Sequence, residues 1–142
     1  MKDPSSFAWS WQQGTAAYVA ALLVVGLLDA LWLGWLMRDF YRREFGDLMA
    51  PSVRMLPALL FYLGYPLGIL ALSLHPQPST MAEAAWRGAA LGLVAYGVYD
   101  LTNLATLRGW SLRLAMVDVL WGVAVSCAAA TAAWLALVRL AR

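Results

Sequence analysis

The chain has 142 residues, 63% of them hydrophobic and only 13% charged, and its mean hydropathy is +0.67. Water-soluble domains hold nearer half apolar and a quarter charged residues, so an ordinary soluble domain is excluded and lipid must be the solvent for most of the surface. The net charge of +2 comes from arginines beside hydrophobic runs, with no basic block, which argues against nucleic acid and makes membrane lipids the natural partners.

Four apolar runs follow in chain order, at about 15–37, 55–74, 84–107 and 112–140, each near or above the ~20 residues that cross a bilayer core. They predict an all-α fold, a four-transmembrane-helix bundle, as a single integral membrane domain over residues 1–142. The first run exceeds a signal-peptide core and ends in Met37-Arg38-Asp39-Phe40 without a small-residue cleavage site, so it reads as a retained helix. Its flank Ser5-Ser6-Phe7-Ala8-Trp9-Ser10-Trp11, with Trp86, Trp110 and Trp134, places aromatics where a membrane interface wants them. The second run contains Pro57 and Pro66, which predict an interrupted or kinked helix.

Gly64 and Gly68, like Gly88 and Gly92, have the spacing of small-residue helix contacts or of a dimer seam, which leaves a homodimer open. His75 beside Pro76 reads as a solvated loop residue, and Cys127 among alanines as a packing residue. One cysteine excludes an internal disulfide, and no Cys/His spacing points to a metal or any other cofactor.

With four crossings, the first and third connections share one side. That side carries Arg38, Arg42, Arg43, Arg54, Arg108 and Arg113, against Lys2, Arg87, Arg139 and Arg142 on the other. The excess predicts that the Arg-rich connections 38–54 and 108–113 are cytoplasmic.

Ionisable groups within a span are costly and usually face the bundle interior. Asp29, Asp100 and Asp118 lie nine residues before Arg38, eight before Arg108 and five after Arg113. At 1.5 Å of rise per residue, those offsets put three carboxyls from three helices about 7 to 14 Å below the Arg-rich side. Tyr96, Asp100 and Asn103 share a face of the third helix, flanked by Tyr99 and Gly92. Asp118 lies with Ser111, Ala115, Gly122, Ser126, Ala129 and Ala133, a small-residue stripe that points it at a neighbouring helix. Asp29 sits near Tyr18 and Trp32, and the second helix brings Tyr62 and Tyr65. Trp32 and Trp121 each follow an aspartate by three residues, a repeat that places an indole N–H beside each carboxyl.

The candidate ligand-binding set is thus Asp29, Trp32, Tyr62, Tyr65, Tyr96, Tyr99, Asp100, Asn103, Asp118 and Trp121, with the three aspartates as candidates for any catalysis. Several carboxyls in a low-dielectric slab cannot all ionise cheaply, so the cluster should hold at least one proton near neutral pH. A plainly structural reading stands beside this one, with the aspartates as polar glue between helices or drawn towards Arg108 and Arg113.

The string Gly92-Leu-Val-Ala-Tyr-Gly-Val-Tyr-Asp-Leu-Thr-Asn-Leu-Ala-Thr106, then Trp110 and Val117-Asp118-Val-Leu-Trp-Gly122, resembles the bacterial membrane family DUF2177. Asp29-Ala-Leu-Trp-Leu-Gly34, Phe40-Tyr41 with Arg42-Arg43, and Tyr62-x-x-Tyr65-Pro66 are similar to the rest of its pattern, over about residues 15–138. The resemblance implies a multi-pass protein of the bacterial inner membrane, with four helices and no assigned activity, and it tilts the reading towards lipid.

Three functions follow as expectations: binding of a lipid or other apolar small molecule in an aspartate-lined bundle pocket, acid–base modification of a lipid by a membrane-embedded enzyme, or an oligomeric proton-coupled carrier.

Overall fold

A computed structural model describes residues 9–141; Lys2, residues 5–8 of the aromatic flank and Arg142 lie outside them. The described chain is helical throughout its regular structure: α1 (Trp11–Leu31), a π turn (Trp32–Leu36), α2 (Arg38–Phe45), a 3-10 turn (Gly46–Leu48), α3 (Met55–Ser73), α4 (Met81–Thr106) and α5 (Leu112–Leu140).

Helices α1 and α4 begin before the predicted spans because polar caps start them. Ser10 and Gln13 close a capping box, Ser10 Oγ accepting from the Gln13 N–H at 3.2 Å and Gln13 Oε1 from the Ser10 N–H at 2.9 Å. Thr80 accepts from the Glu83 N–H at 3.1 Å. Both satisfy donors that a helix start leaves without partners.

Packing follows the small-residue stripes. The buried positions of α1 are Ala17, Ala21, Val25 and Asp29, every fourth residue, and this line lies against α5. Between α4 and α5 the backbones touch: a Cβ on Gly88 would strike the Ser126 carbonyl, one on Gly92 the Gly122 carbonyl, and one on Gly122 the ring of Tyr96. Gly64 and Gly68 face open space within the chain, so only the second of the two predicted glycine pairs seats an internal helix contact. Pro57 occupies the first turn of α3, where no N–H is needed, and Pro66 lies inside the helix. Near Pro66 the Leu63 carbonyl accepts from the Tyr18 hydroxyl at 3.0 Å, tying α1 to α3.

The two ends of the bundle are closed differently. At one end Trp9 donates to Gln77 at 3.2 Å, Trp134 to the Pro78 carbonyl at 2.9 Å and Arg87 to the Pro76 carbonyl at 2.7 Å, pinning the 74–80 connection onto the helices. At the other, the Met37 N–H bonds back to the Trp32 carbonyl at 2.7 Å, and the chain turns into α2. This short helix buries Phe40 and Tyr41, sets the Phe40 ring 5.3 Å from the Arg113 guanidinium carbon, and receives a hydrogen bond on Glu44 from the Ser111 hydroxyl.

Among the described residues three helices are long and apolar enough to cross a membrane: Trp11–Leu36, Met55–Ser73 and Leu112–Leu140. The remaining long helix, α4, has 26 residues but is less apolar, since it carries Glu83, Arg87, Asp100 and Asn103. Leu23, Leu27, Leu60, Leu63, Leu67 and Leu120 are all half exposed or more, an outer surface suited to hydrocarbon.

Candidate functional site

A cavity of about 800 Å³ opens among α1, α3, α4 and α5, with α2 across its mouth. That is the size range of small-molecule pockets. Leu33, Met49, Val53, Ala58, Phe61 and Ala95 give it apolar walls; Asp29, Tyr62, Tyr65, Tyr96, Tyr99, Asp118 and Trp121 supply its polar atoms; Arg38, Tyr41, Arg42 and Phe45 frame the mouth.

Each aspartate is held by an aromatic donor. Asp29, 3% exposed, accepts from Trp121 Nε1 of α5 at 2.8 Å, and the Tyr62 phenol of α3 stands nearby. Asp118 accepts from the Tyr41 hydroxyl at 2.6 Å, and that hydroxyl accepts from Trp32 Nε1 at 3.2 Å. An indole thus serves each Asp-x-x-Trp repeat, but across helices: the repeat of α5 lends its indole to the aspartate of α1, and that of α1 reaches Asp118 through Tyr41. Tyr65 shares a 2.6 Å hydrogen bond with Ser126, joining α3 to α5.

Asp100 is fully buried but lies off the cavity wall. Its Oδ1 accepts from Trp110 Nε1 at 3.3 Å, so Trp110 is a buried partner instead of the interfacial anchor its position in the sequence predicts. No N–H or O–H among the described residues reaches Asp100 Oδ2, and its carboxyl lies beside that of Asp118.

Seven of the ten sequence candidates border the cavity: Asp29, Tyr62, Tyr65, Tyr96, Tyr99, Asp118 and Trp121. Trp32 stacks behind Trp121, Asp100 backs Asp118, and Asn103 is half-buried beside Tyr99, away from the wall. Sequence reasoning missed the frame of the mouth, because Arg38, Tyr41, Arg42 and Phe45 fall in what the hydropathy presents as a connection. The signal was there in Arg-Asp-Phe-Tyr-Arg-Arg-Glu-Phe, a short amphipathic helix of the kind that lies in a membrane interface.

Tyr41 belongs to that interfacial helix, outside the spans. Burial, reinforced by the hydrogen bond to Asp118, pushes its phenol well above the ordinary tyrosine value, so it stays a proton donor to the carboxyl. Among the described residues no three His, Cys, Asp or Glu side chains converge as metal ligands would.

A family model described as "Predicted membrane protein (DUF2177)" matches residues 14–135. No curated protein and no solved structure matches the chain. The family match takes in all four long helices apart from the ends of α1 and α5, and the chain belongs to the DUF2177 family of predicted membrane proteins.

Proposed function

We propose that this protein binds a lipid or other apolar small molecule in the cavity among α1, α3, α4 and α5, with Asp29 and Asp118 orienting the polar part of the guest. One observation carries the reading: two carboxyls on the wall of a largely apolar hollow are each locked by an aromatic donor from another element. Buried acids are costly, and donors that fix them in place leave their remaining lone pairs aimed for a ligand. Native mass spectrometry from lipid nanodiscs tests it. The wild type should carry a bound lipid that is lost or exchanged in Asp118→Asn and excluded in Ala95→Trp, which fills the hollow while leaving both carboxyls in the sequence. Identical lipid profiles in all three would remove the reading.

The contact between Asp100 and Asp118 favours a second reading, acid–base chemistry such as isomerisation on the bound lipid. With one of the two protonated and the other ionised, they would supply an acid and a base, Asp118 on the cavity wall and Asp100 behind it. Membrane lipids extracted from a deletion strain and from an Asp118→Asn strain decide; no change in either rules out an enzyme.

The membrane placement we propose is the bacterial inner membrane, crossed four times with α4 as the third span, and with connections 38–54 and 108–113 cytoplasmic. The 26 residues of α4 support it, being enough to span even a tilted path, as does the arginine excess on that side.

A further inference from the structure

Among the described residues, two cations at the cavity mouth have no ion-pair partner. Arg38 and Arg42 stand four residues apart on α2, both exposed and both bordering the hollow. The ion pair found among the described residues joins Arg87 to Glu83, at the other end of the bundle. On α2 itself Asp39 is exposed and forms no ion pair, Glu44 is engaged by Ser111, and Arg113 lies over the Phe40 ring. Guanidinium groups four apart on a helix share a face, and here that face looks onto a largely apolar cavity that also holds Asp29 and Asp118.

Building on the reading of the cavity as a lipid-binding site, we infer that its guest is a phosphate-bearing membrane lipid whose phosphate is bracketed by Arg38 and Arg42. Charge complementarity carries this: a planar guanidinium fork matches phosphate oxygens in a bidentate way, and two of them offer a clamp. Depth agrees, since α2 follows directly on the end of the first span, at the level where lipid phosphates lie. Asp118 is engaged by Tyr41 of α2 itself at 2.6 Å, whereas Asp29 lies nine residues before Arg38, on the order of 10 Å deeper in the span. That gap fits the glycerol and ester region of a lipid, with neutral oxygens facing Tyr62 and Tyr96. The route in is lateral. α3 touches α4 only lightly, and Phe61 and Tyr99, one from each helix, border the cavity while 37% and 52% exposed.

The test uses the full chain in nanodiscs holding equal amounts of phosphatidylglycerol and a diacylglycerol with the same acyl chains, read by native mass spectrometry. The wild type should retain phosphatidylglycerol over diacylglycerol by about tenfold or more, the scale of a charged hydrogen bond. An Arg38→Gln, Arg42→Gln double variant should lose that preference while still holding either lipid, and Arg43→Gln, on the same helix but off the cavity, should keep it. Equal retention of the two lipids by the wild type, or a preference that survives in the double variant, overturns the inference and leaves the lipid-binding reading intact. Loss of both lipids from the wild type overturns that reading as well. If inorganic phosphate raises diacylglycerol retention to the level of phosphatidylglycerol, the anion is free phosphate and the lipid assignment falls.

Discussion

The indoles of Trp32 and Trp121 stack face to face, their centroids 4.3 Å apart and their planes 1° from parallel. From this shared platform the two N–H groups point in different directions, one to Asp29 and one to Tyr41. The stack joins the π turn that follows α1 to α5 and fixes where both donors aim, so the two cavity carboxyls are positioned by one aromatic pair.

Removing one N–H while keeping a ring isolates that role. Trp121→Phe should destabilise the protein by about 1–3 kcal/mol, the cost of leaving a buried acceptor without its donor. Thermal unfolding in detergent, compared with Asp29→Asn and with the double variant, measures the coupling. The pair should fall short of additivity by at least ~0.5 kcal/mol; full additivity would show that the 2.8 Å contact does not hold Asp29.

Glycine substitutions should split by sign. Gly92→Ala and Gly122→Ala press a methyl group into a facing carbonyl and the Tyr96 ring, and should cost about 1–3 kcal/mol as overpacked sites do. Gly64→Ala and Gly68→Ala meet open space and should be neutral or gain up to about 1 kcal/mol from helix propensity. Unfolding midpoints of the four variants read this out, and a loss at Gly64 or Gly68 as large as at Gly92 would mean that another chain covers that face.

Depth along a span is legible in the sequence, because each residue adds a fixed rise; the expectation that Asp29, Asp100 and Asp118 share a layer follows from that alone. Rotation of one helix against its neighbours is not, since it is set by which small residues meet across the interface. So Asp29 and Asp118 face the cavity while Asp100 turns to Trp110, although the three look equivalent on a hydropathy plot. The repeat of Asp-x-x-Trp could be read as an indole beside each acid, but the crossing over, Trp121 to Asp29 and Trp32 through Tyr41 to Asp118, has no hydropathy signature. For the same reason α2 was invisible as a wall: eight residues rich in charge read as a loop until Phe40, Tyr41 and Phe45 are seen to share a buried side.

The raised phenol of Tyr41 sets a pH dependence. A tyrosine whose folded-state value exceeds the unfolded value of about 10 stabilises the fold fully below that pH and loses the contribution as pH rises through the higher value. The Tyr41 phenol should therefore stay protonated through the neutral range and ionise only in strong base. Absorbance of tyrosinate at about pH 11, one unit above the usual tyrosine value, should be the same for the wild type and for Tyr41→Phe, since Tyr41 contributes none. A wild-type excess of one tyrosinate at that pH would show that the phenol is not shielded by its burial and its carboxyl partner.

The number of crossings turns on α4, and labelling from one side of the membrane resolves it. In a Cys127→Ala background, Arg43→Cys, Arg108→Cys and Ser79→Cys each put a thiol at an exposed position. With four crossings, the thiols at 43 and 108 share a side and the one at 79 lies opposite, so a membrane-impermeant maleimide added to intact cells should label only position 79. If α4 lay along the surface or folded back, 79 and 108 would react alike. If the arginine bias were read in the wrong sense, 43 and 108 would label and 79 would not. The three patterns exclude one another, and the first alone keeps the Arg-framed mouth of the cavity on the cytoplasmic leaflet, where anionic lipid is concentrated and its phosphate meets α2 at the right depth.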